Sequence, residues 1–123
     1  MSVRWLETAL EHDYPAAASY LSLLGGPSKI RALVSALRTA PVAHYKAKDL
    51  LRASGLPLPP ADDVHVAKDL AQIHADNPMS PCLMIRGDVS MWHQAQIADG
   101  YHRVCASYYT NEDTDLPVKI VKL

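Results

Sequence analysis

The sequence has few cysteines, almost no net charge and no long apolar run. Its two cysteines, Cys82 and Cys105, are too few for the disulfide framework of a small secreted domain, so we expect both to be core residues. Twelve basic residues stand against thirteen acidic ones, which excludes the overall positive field that holds a nucleic acid or an anionic membrane. The longest apolar run, residues 81–85, is far shorter than the roughly 18 residues that cross a bilayer. Since the first residues also lack the pattern of a secretory signal, we expect a cytoplasmic protein in which any phosphate binding is local.

The 123 residues suffice for one domain with a modest core, preceded by a helical extension over residues 1–40. We expect one helix from Ser2 through residue 12 and another at residues 16–24. A more strongly patterned helix is predicted at residues 29–38, because apolar residues recur on one face. This face should pack against the core, a protein partner or a second copy of the chain, and it consists of Ile30, Leu33, Val34 and Leu37.

Residues 41–123 are predicted to form a single α/β domain, because strand patterns alternate with helical ones. Asp62 or Asp63 should cap the helix that crosses the middle of this region. The face that this helix buries is predicted to comprise Val64, Ala67, Leu70, Ala71 and His74. The other predicted elements, in chain order, are a strand at residues 42–47, a short helix at 49–54, strands at 82–86 and 94–98, a helix to about residue 109, and a strand at 118–121.

The stretch IADGYHRVCASY, residues 97–108, is predicted to turn sharply from a strand into a helix. His102 and Arg103 then fall in the first helical turn, where a cation costs about 0.3 to 1 kcal/mol unless an anion is nearby. Gly100 would let the backbone approach a ligand, and Arg103 offers a two-pronged donor suited to phosphate. The pattern therefore predicts an anion, most simply a phosphate, at this turn.

The order of motifs resembles the ParB/sulfiredoxin superfamily over roughly residues 42–121. A strand reading SPxLxIRG is followed by a strand ending IADGYHR, a helix of small residues and a strand reading PVKIV. The resemblance implies a small α/β fold whose turn and helix start bind nucleotide phosphates, as in sulfiredoxins, CTP-hydrolysing partition proteins and free-serine kinases. Tyr101 stands where sulfiredoxins have their catalytic cysteine, so sulfinic-acid reduction is not expected. The residues that carry the match are Ile97, Gly100, His102, Arg103 and Ala106.

The candidate site residues each have a structural alternative. Asp99 could cap the helix through the N–H groups of the next residues, or it could bind Mg²⁺ or act as a catalytic base. His102 could bind phosphate and take part in catalysis, or it could be a buried histidine. Arg103 could bind the anion or form an ion pair, for instance with Asp88 or Glu112.

Lys46 and Lys48 are further candidates for phosphate binding, because the resemblance puts them near the turn, although they could equally form a solvated face. Asp62, Asp63, His65 and Asp69 are interpreted as helix cap and surface, since no pair of them has the spacing of a transition-metal site.

The predicted function is binding of a nucleotide or another phosphorylated ligand at the Asp99-Gly100-Tyr101-His102-Arg103 turn. A nucleoside triphosphate or diphosphate with Mg²⁺ is the expected cofactor, with phosphoryl transfer or nucleotide hydrolysis as an open extension. The alternative is a non-catalytic interaction or regulatory module that keeps the fold without the chemistry. Binding of nucleic acid by this chain alone, or of a membrane, is not expected.

Overall fold

Helices and strands alternate along residues 2–123, the part of the chain that the computed structural model describes. The sheet consists of four short strands, and helices precede and separate them as the sequence predicts for an α/β protein. The elements are α1 (Asp13–Leu21), α2 (Pro27–Thr39), β1 (Val42–Lys46), α3 (Ala47–Ser54), α4 (Val64–His74), β2 (Cys82–Ile85), a single 3₁₀ turn (Val89–Met91), β3 (Gln96–Asp99), α5 (Tyr101–Thr110) and β4 (Asp115–Val121).

The four strands form one mixed sheet in the order β1-β4-β2-β3. The central strands β2 and β4 run parallel with Cys82 beside Val118, and both outer strands are antiparallel to their neighbours. All four residues of β2 are buried, so its unbroken apolar run is covered on both faces of the sheet. Because β3 is antiparallel to β2, Asp99 at the end of β3 pairs with Leu83 near the start of β2.

Helices cover both faces of the sheet and create two apolar cores. One core surrounds Met84 and Val118 beneath α3, α4 and α5, and the other surrounds Leu83 and Ile85 beneath α1 and α2. The predicted apolar face of α2 therefore packs against the sheet, with Ile30, Leu33 and Leu37 all buried, and is not free for a partner or a second copy. Burying side chains of this size stabilises the fold by about 1.5 to 3 kcal/mol each.

The predicted helix over residues 2–12 is wrong. Trp5 instead forms a parallel bridge with Met79, and the N–H of Leu6 donates to the Met79 carbonyl at 2.8 Å. Backbone pairing with the segment that leads into β2 thus replaces the hydrogen bonds of a helix. Helix α1 begins at Asp13 and includes Pro15, which fits the first turn because the N–H groups there have no partner inside the helix.

Helix α4 is correctly predicted in position and wrongly in orientation. Asp63 caps it through the N–H groups of His65 and Val66, as predicted. Its buried residues are Val66 and Ile73, however, whereas Val64 is 73% exposed. Turning the helix this way buries the apolar Val66 and Ile73 and leaves the polar His74 of the predicted face exposed. Within residues 2–123, no helix combines the length and the apolar character needed to span a bilayer.

Candidate functional site

The predicted strand-to-helix turn forms where β3 meets α5. Gly100 is the N-cap of α5 and has a φ of 108°, a region that favours glycine. A Cβ atom at Gly100 would lie 2.6 Å from Sγ of Cys82 and 2.9 Å from Nη2 of Arg103. Glycine is therefore required because the side chains of Cys82 and Arg103 lie close to the backbone of residue 100, and no ligand is needed to explain it.

The guanidinium of Arg103 is turned into the protein. Its Nη2 donates to Oδ2 of Asp99 at 2.9 Å and to the carbonyl of Pro81 at 3.3 Å. Only 16% of the Arg103 side chain is exposed, and in the described part of the chain its buried Nε has no hydrogen-bond partner. The alternative interpretation of Arg103 as part of an ion pair is therefore correct in kind, but its partner is Asp99 and not Asp88 or Glu112, and this pairing leaves no open two-pronged donor for a ligand.

Asp99 does not cap α5, so that alternative is wrong. Its carboxylate accepts from Arg103 instead, and the carboxyl of Asp13, from α1, is near enough to raise its pKa. Burial and the nearby Asp13 raise the pKa of Asp99 more than Arg103 lowers it. A carboxylate that is paired with a buried guanidinium is poorly placed to hold Mg²⁺ or to accept a substrate proton, and no group of three metal-ligating side chains is found among residues 2–123.

His102 stacks against a histidine from another helix. The ring centroids of His102 and His65 are 4.7 Å apart, and the ring of Tyr101 lies 5.0 Å from that of His102 on the same side of the turn. His65 occupies the first turn of α4 just as His102 occupies the first turn of α5, so two helix starts meet at one imidazole pair. The sequence places His65 beside a good N-cap, but it does not indicate that the two helices begin side by side.

Two carboxylates of α4 complete the surroundings of this pair. The N–H groups of Val66 and then His65 lower the pKa of Asp63, and His102 contributes to the shift. Burial raises the pKa of Asp69, against the opposing effect of Arg103 and His102. The histidine pair therefore lies near the positive ends of two helices and near two acidic side chains. The helix ends would partly balance a negative charge placed there, and the acidic side chains would partly balance a positive one.

Tyr101 fastens a neighbouring loop. Its hydroxyl donates to the carbonyl of Pro57, and the hydroxyl of Tyr109 donates to the carbonyl of Pro59 at 2.6 Å. The proline-rich segment between α3 and α4 is thereby held across α5. The predicted contact of Tyr101 with a ligand has to come from the ring, since the hydroxyl is already engaged.

Lys46 and Lys48 do not join the turn, contrary to prediction. Both pair with Asp113, at 3.6 Å and 2.7 Å, just beyond the C-terminal end of α5. The His102 end of this ten-residue helix is about 15 Å away. The lysines are remote because β1 borders β4 at the far side of the sheet from β3.

The two cysteines are buried, as predicted. Burial raises the pKa of Cys82 to about 11, although Arg103 opposes this, and burial likewise raises the pKa of Cys105 to about 11. Both side chains are therefore neutral thiols near pH 7 and act as packing groups.

Comparisons with protein-family models, curated proteins and solved structures give no match to this chain. The chemistry of the turn is therefore inferred from the residues of the turn alone. They provide a half-exposed helix start with two imidazoles beside it, and an internal Arg103–Asp99 pair that holds the turn in shape.

Proposed function

We propose that the chain binds the phosphate group of a nucleotide or another small phosphorylated molecule at the start of α5. The observation that carries the proposal is the stacked pair of His102 and His65 beside a helix start that no side chain caps among the described residues. The N–H groups of the first turn precede the first backbone bond of α5, from Val104 to Gly100, and can donate to an anion.

Electrostatics support an anion at the histidine pair. Both rings, whose centroids are 4.7 Å apart, lie at the positive ends of their helices, and a ring N–H can donate to an anion there. A phosphate beside the rings would accept from these donors and from the backbone N–H groups of the first turn. Asp63 and Asp69 offset part of the charge, so the site suits one phosphate group better than a long polyanion.

The proposal is for binding, and it gives Asp99 a positioning role. Asp99 holds Arg103, and through it the turn, and does not touch the ligand. Where the ligand is a nucleoside diphosphate or triphosphate, we expect any Mg²⁺ to be held by the phosphates themselves. Membership of the ParB/sulfiredoxin superfamily is part of the proposal, supported by a glycine turn that opens a helix of small residues after an apolar strand.

A thermal-shift screen with ATP, ADP, CTP, GTP and inorganic phosphate, with and without Mg²⁺, tests the proposal. A ligand at 100 times its dissociation constant should raise the melting temperature by about 10 °C for a domain of this size. His102→Gln and His65→Gln should each reduce that shift, whereas His74→Gln, at the exposed end of α4, should not. Absence of any shift, or equal loss in all three variants, would contradict the proposal.

The second candidate is the non-catalytic interaction module, and the internal Arg103–Asp99 pair favours it. That pair accounts for Gly100, Arg103 and Asp99 without any ligand. Under this alternative, Arg103→Gln lowers the melting temperature of the free protein and no nucleotide changes it in the wild type. Under phosphate binding, the wild-type protein responds to a ligand whatever Arg103→Gln does to stability.

A further inference from the structure

A second concave site lies at the opposite end of the sheet from the histidine pair. A cavity of about 700 Å³ opens where β2 ends and β3 begins, between the α1–α2 turn and the residues that follow β4. This volume falls within the range of small-molecule pockets, about 300 to 1,000 Å³. The cavity shares no lining residue with the turn at Gly100, so the two sites are independent.

The floor of the cavity is apolar. Leu21, Ile30, Leu33 and Ile85 line it, and each of them is also part of the core beneath α1 and α2. Leu24 extends this surface outward and is 57% exposed. An apolar ligand that covers these side chains would gain about 25 cal/mol for each Å² removed from water.

The rim of the cavity is cationic. Lys29, Arg86 and Lys122 line it, and none of them forms an ion pair within residues 2–123. The guanidinium of Arg86 donates to the hydroxyl of Tyr45 at 3.4 Å, outside the cavity, so the two lysines are the cations that face it. The side-chain carboxylate of Asp88, which also lines the cavity, accepts from the backbone N–H and the hydroxyl of Ser90. Two lysines above an apolar floor are complementary to a molecule with an apolar body and an acidic head.

The loop that supplies Asp88 and His93 has features that its own packing does not explain. Trp92 adopts a φ of 57°, which is uncommon for a residue with a side chain, yet its side chain is 87% exposed. Backbone strain of this kind is more often found beside functional sites than elsewhere. The loop is closed by the bridge between Asp88 and His93, so it forms a defined wall of the cavity.

We propose that this cavity binds a small amphipathic anion, with its apolar body against Leu21, Ile30 and Leu33 and its acidic group beside Lys29 and Lys122. The site recognises the combination of one or two acidic oxygens and an apolar body of ring or chain carbons. It is separate from phosphate binding at α5, and the failure of either leaves the other intact.

Fluorescence titration of the full chain with two matched probes tests the proposal. 8-Anilinonaphthalene-1-sulfonate has an apolar body with a sulfonate, and N-phenyl-1-naphthylamine has the same body without it. We expect the sulfonate to bind about tenfold more tightly than the neutral probe, and Lys29→Glu or Lys122→Glu to remove most of that preference. Lys68→Glu, the same charge change on α4, should leave both affinities unchanged, and Leu24→Ser should weaken both probes.

The outcomes distinguish the alternatives. Saturable binding with this pattern, together with amide shifts confined to residues 21–33, 85–96 and 121–123, supports the proposal. Equal affinity of the two probes, or an equal effect of Lys68→Glu, overturns it. Sedimentation with phosphatidylglycerol vesicles that is lost in Lys29→Glu, without binding of the free sulfonate probe, also overturns it and assigns the rim to a membrane surface.

Discussion

Arg103 and Asp99 form an ion pair across the first turn of α5, with Nη2 2.9 Å from Oδ2 and only 16% and 17% of the two side chains exposed. Asp99→Ala removes both carboxylate oxygens and leaves the buried guanidinium of Arg103 without this acceptor. We expect the free energy of unfolding to fall by about 1 to 3 kcal/mol, as measured by urea denaturation. The matched control is Glu11→Ala, which breaks the exposed pair with Arg38 and should cost less than about 0.5 kcal/mol. Equal losses in the free energy of unfolding would show that the buried pair contributes no more to stability than the exposed one.

The pH dependence of stability provides a second test of Asp99. Because burial and Asp13 raise its pKa above the ordinary 3.8, the folded state binds the proton more tightly than the unfolded state. The contribution of Asp99 to stability therefore falls as the pH rises from about 3.8 through the raised pKa. We expect the stability advantage of wild type over Asp99→Asn to shrink over that range in denaturation curves at successive pH values.

Asp113 supplies a comparison of opposite sign for this experiment. Its hydrogen bond with Lys48 lowers the pKa of Asp113, so the stabilisation is present above 3.8 and is lost as the pH falls through the lowered pKa. The stability advantage of wild type over Asp113→Asn should accordingly grow as the pH rises from acid. If the stability advantage of wild type over both variants changed in the same direction with pH, the raised pKa assigned to Asp99 would be contradicted.

What the sequence predicts well here depends on local signals, and what it misses depends on contacts between distant segments. The cap at Asp63, the apolar strand β2 and the glycine turn at residue 100 all follow from neighbouring residues. Asp13 approaches Asp99 only because α1 packs on β3. The pairing of Trp5 with Met79 likewise joins residues far apart in the chain, and it overrides a helical pattern.

The candidate site shows the same division. Asp99, His102 and Arg103 are identified by their order after an apolar strand, which is a local pattern. The direction of the Arg103 side chain depends on Pro81, and the stacking of His102 depends on the start of α4. The orientation of α4 depends on which side chains fit against α5 and the sheet, and periodicity alone does not decide between two overlapping apolar faces.

Gly100→Ala should be strongly destabilising. The new Cβ would lie 2.6 Å from Cys82 Sγ, and the φ of 108° is unfavourable for alanine, so we expect a loss of about 2 to 4 kcal/mol in the free energy of unfolding. Gly25→Ala serves as the control, because its Cβ would make an ordinary contact of 3.5 Å with Ile30 and should change stability by less than about 1 kcal/mol. A neutral Gly100→Ala would mean that the turn can move away from Cys82.

Tyr14→Phe tests the buried lysine of β4. Nζ of Lys119 donates to the Tyr14 hydroxyl at 3.1 Å and to the Arg38 carbonyl at 2.8 Å, and Lys119 is only 5% exposed. Removing the hydroxyl leaves a buried ammonium with one fewer acceptor, which should lower the free energy of unfolding by about 1 to 3 kcal/mol. Tyr20→Phe removes a hydroxyl that donates to Gln96 in an exposed position, and it should cost less than about 1 kcal/mol. The comparison is made by thermal and urea denaturation, and a larger effect at Tyr20 would contradict it.

The two cysteine thiols should react only when the protein opens. Burial raises the pKa of Cys82 and of Cys105 to about 11, so at pH 8 each is protonated as well as inaccessible. With 5,5′-dithiobis(2-nitrobenzoic acid) we expect neither thiol to react rapidly in the native state and both to react in denaturing guanidinium. Gly100→Ala should accelerate the reaction of Cys82 in particular, because the added methyl group displaces its sulfur, whereas Gly25→Ala should not. Rapid reaction of one native thiol would instead reveal an accessible thiolate, and it would reopen cysteine chemistry in the middle of α5 or at the start of β2.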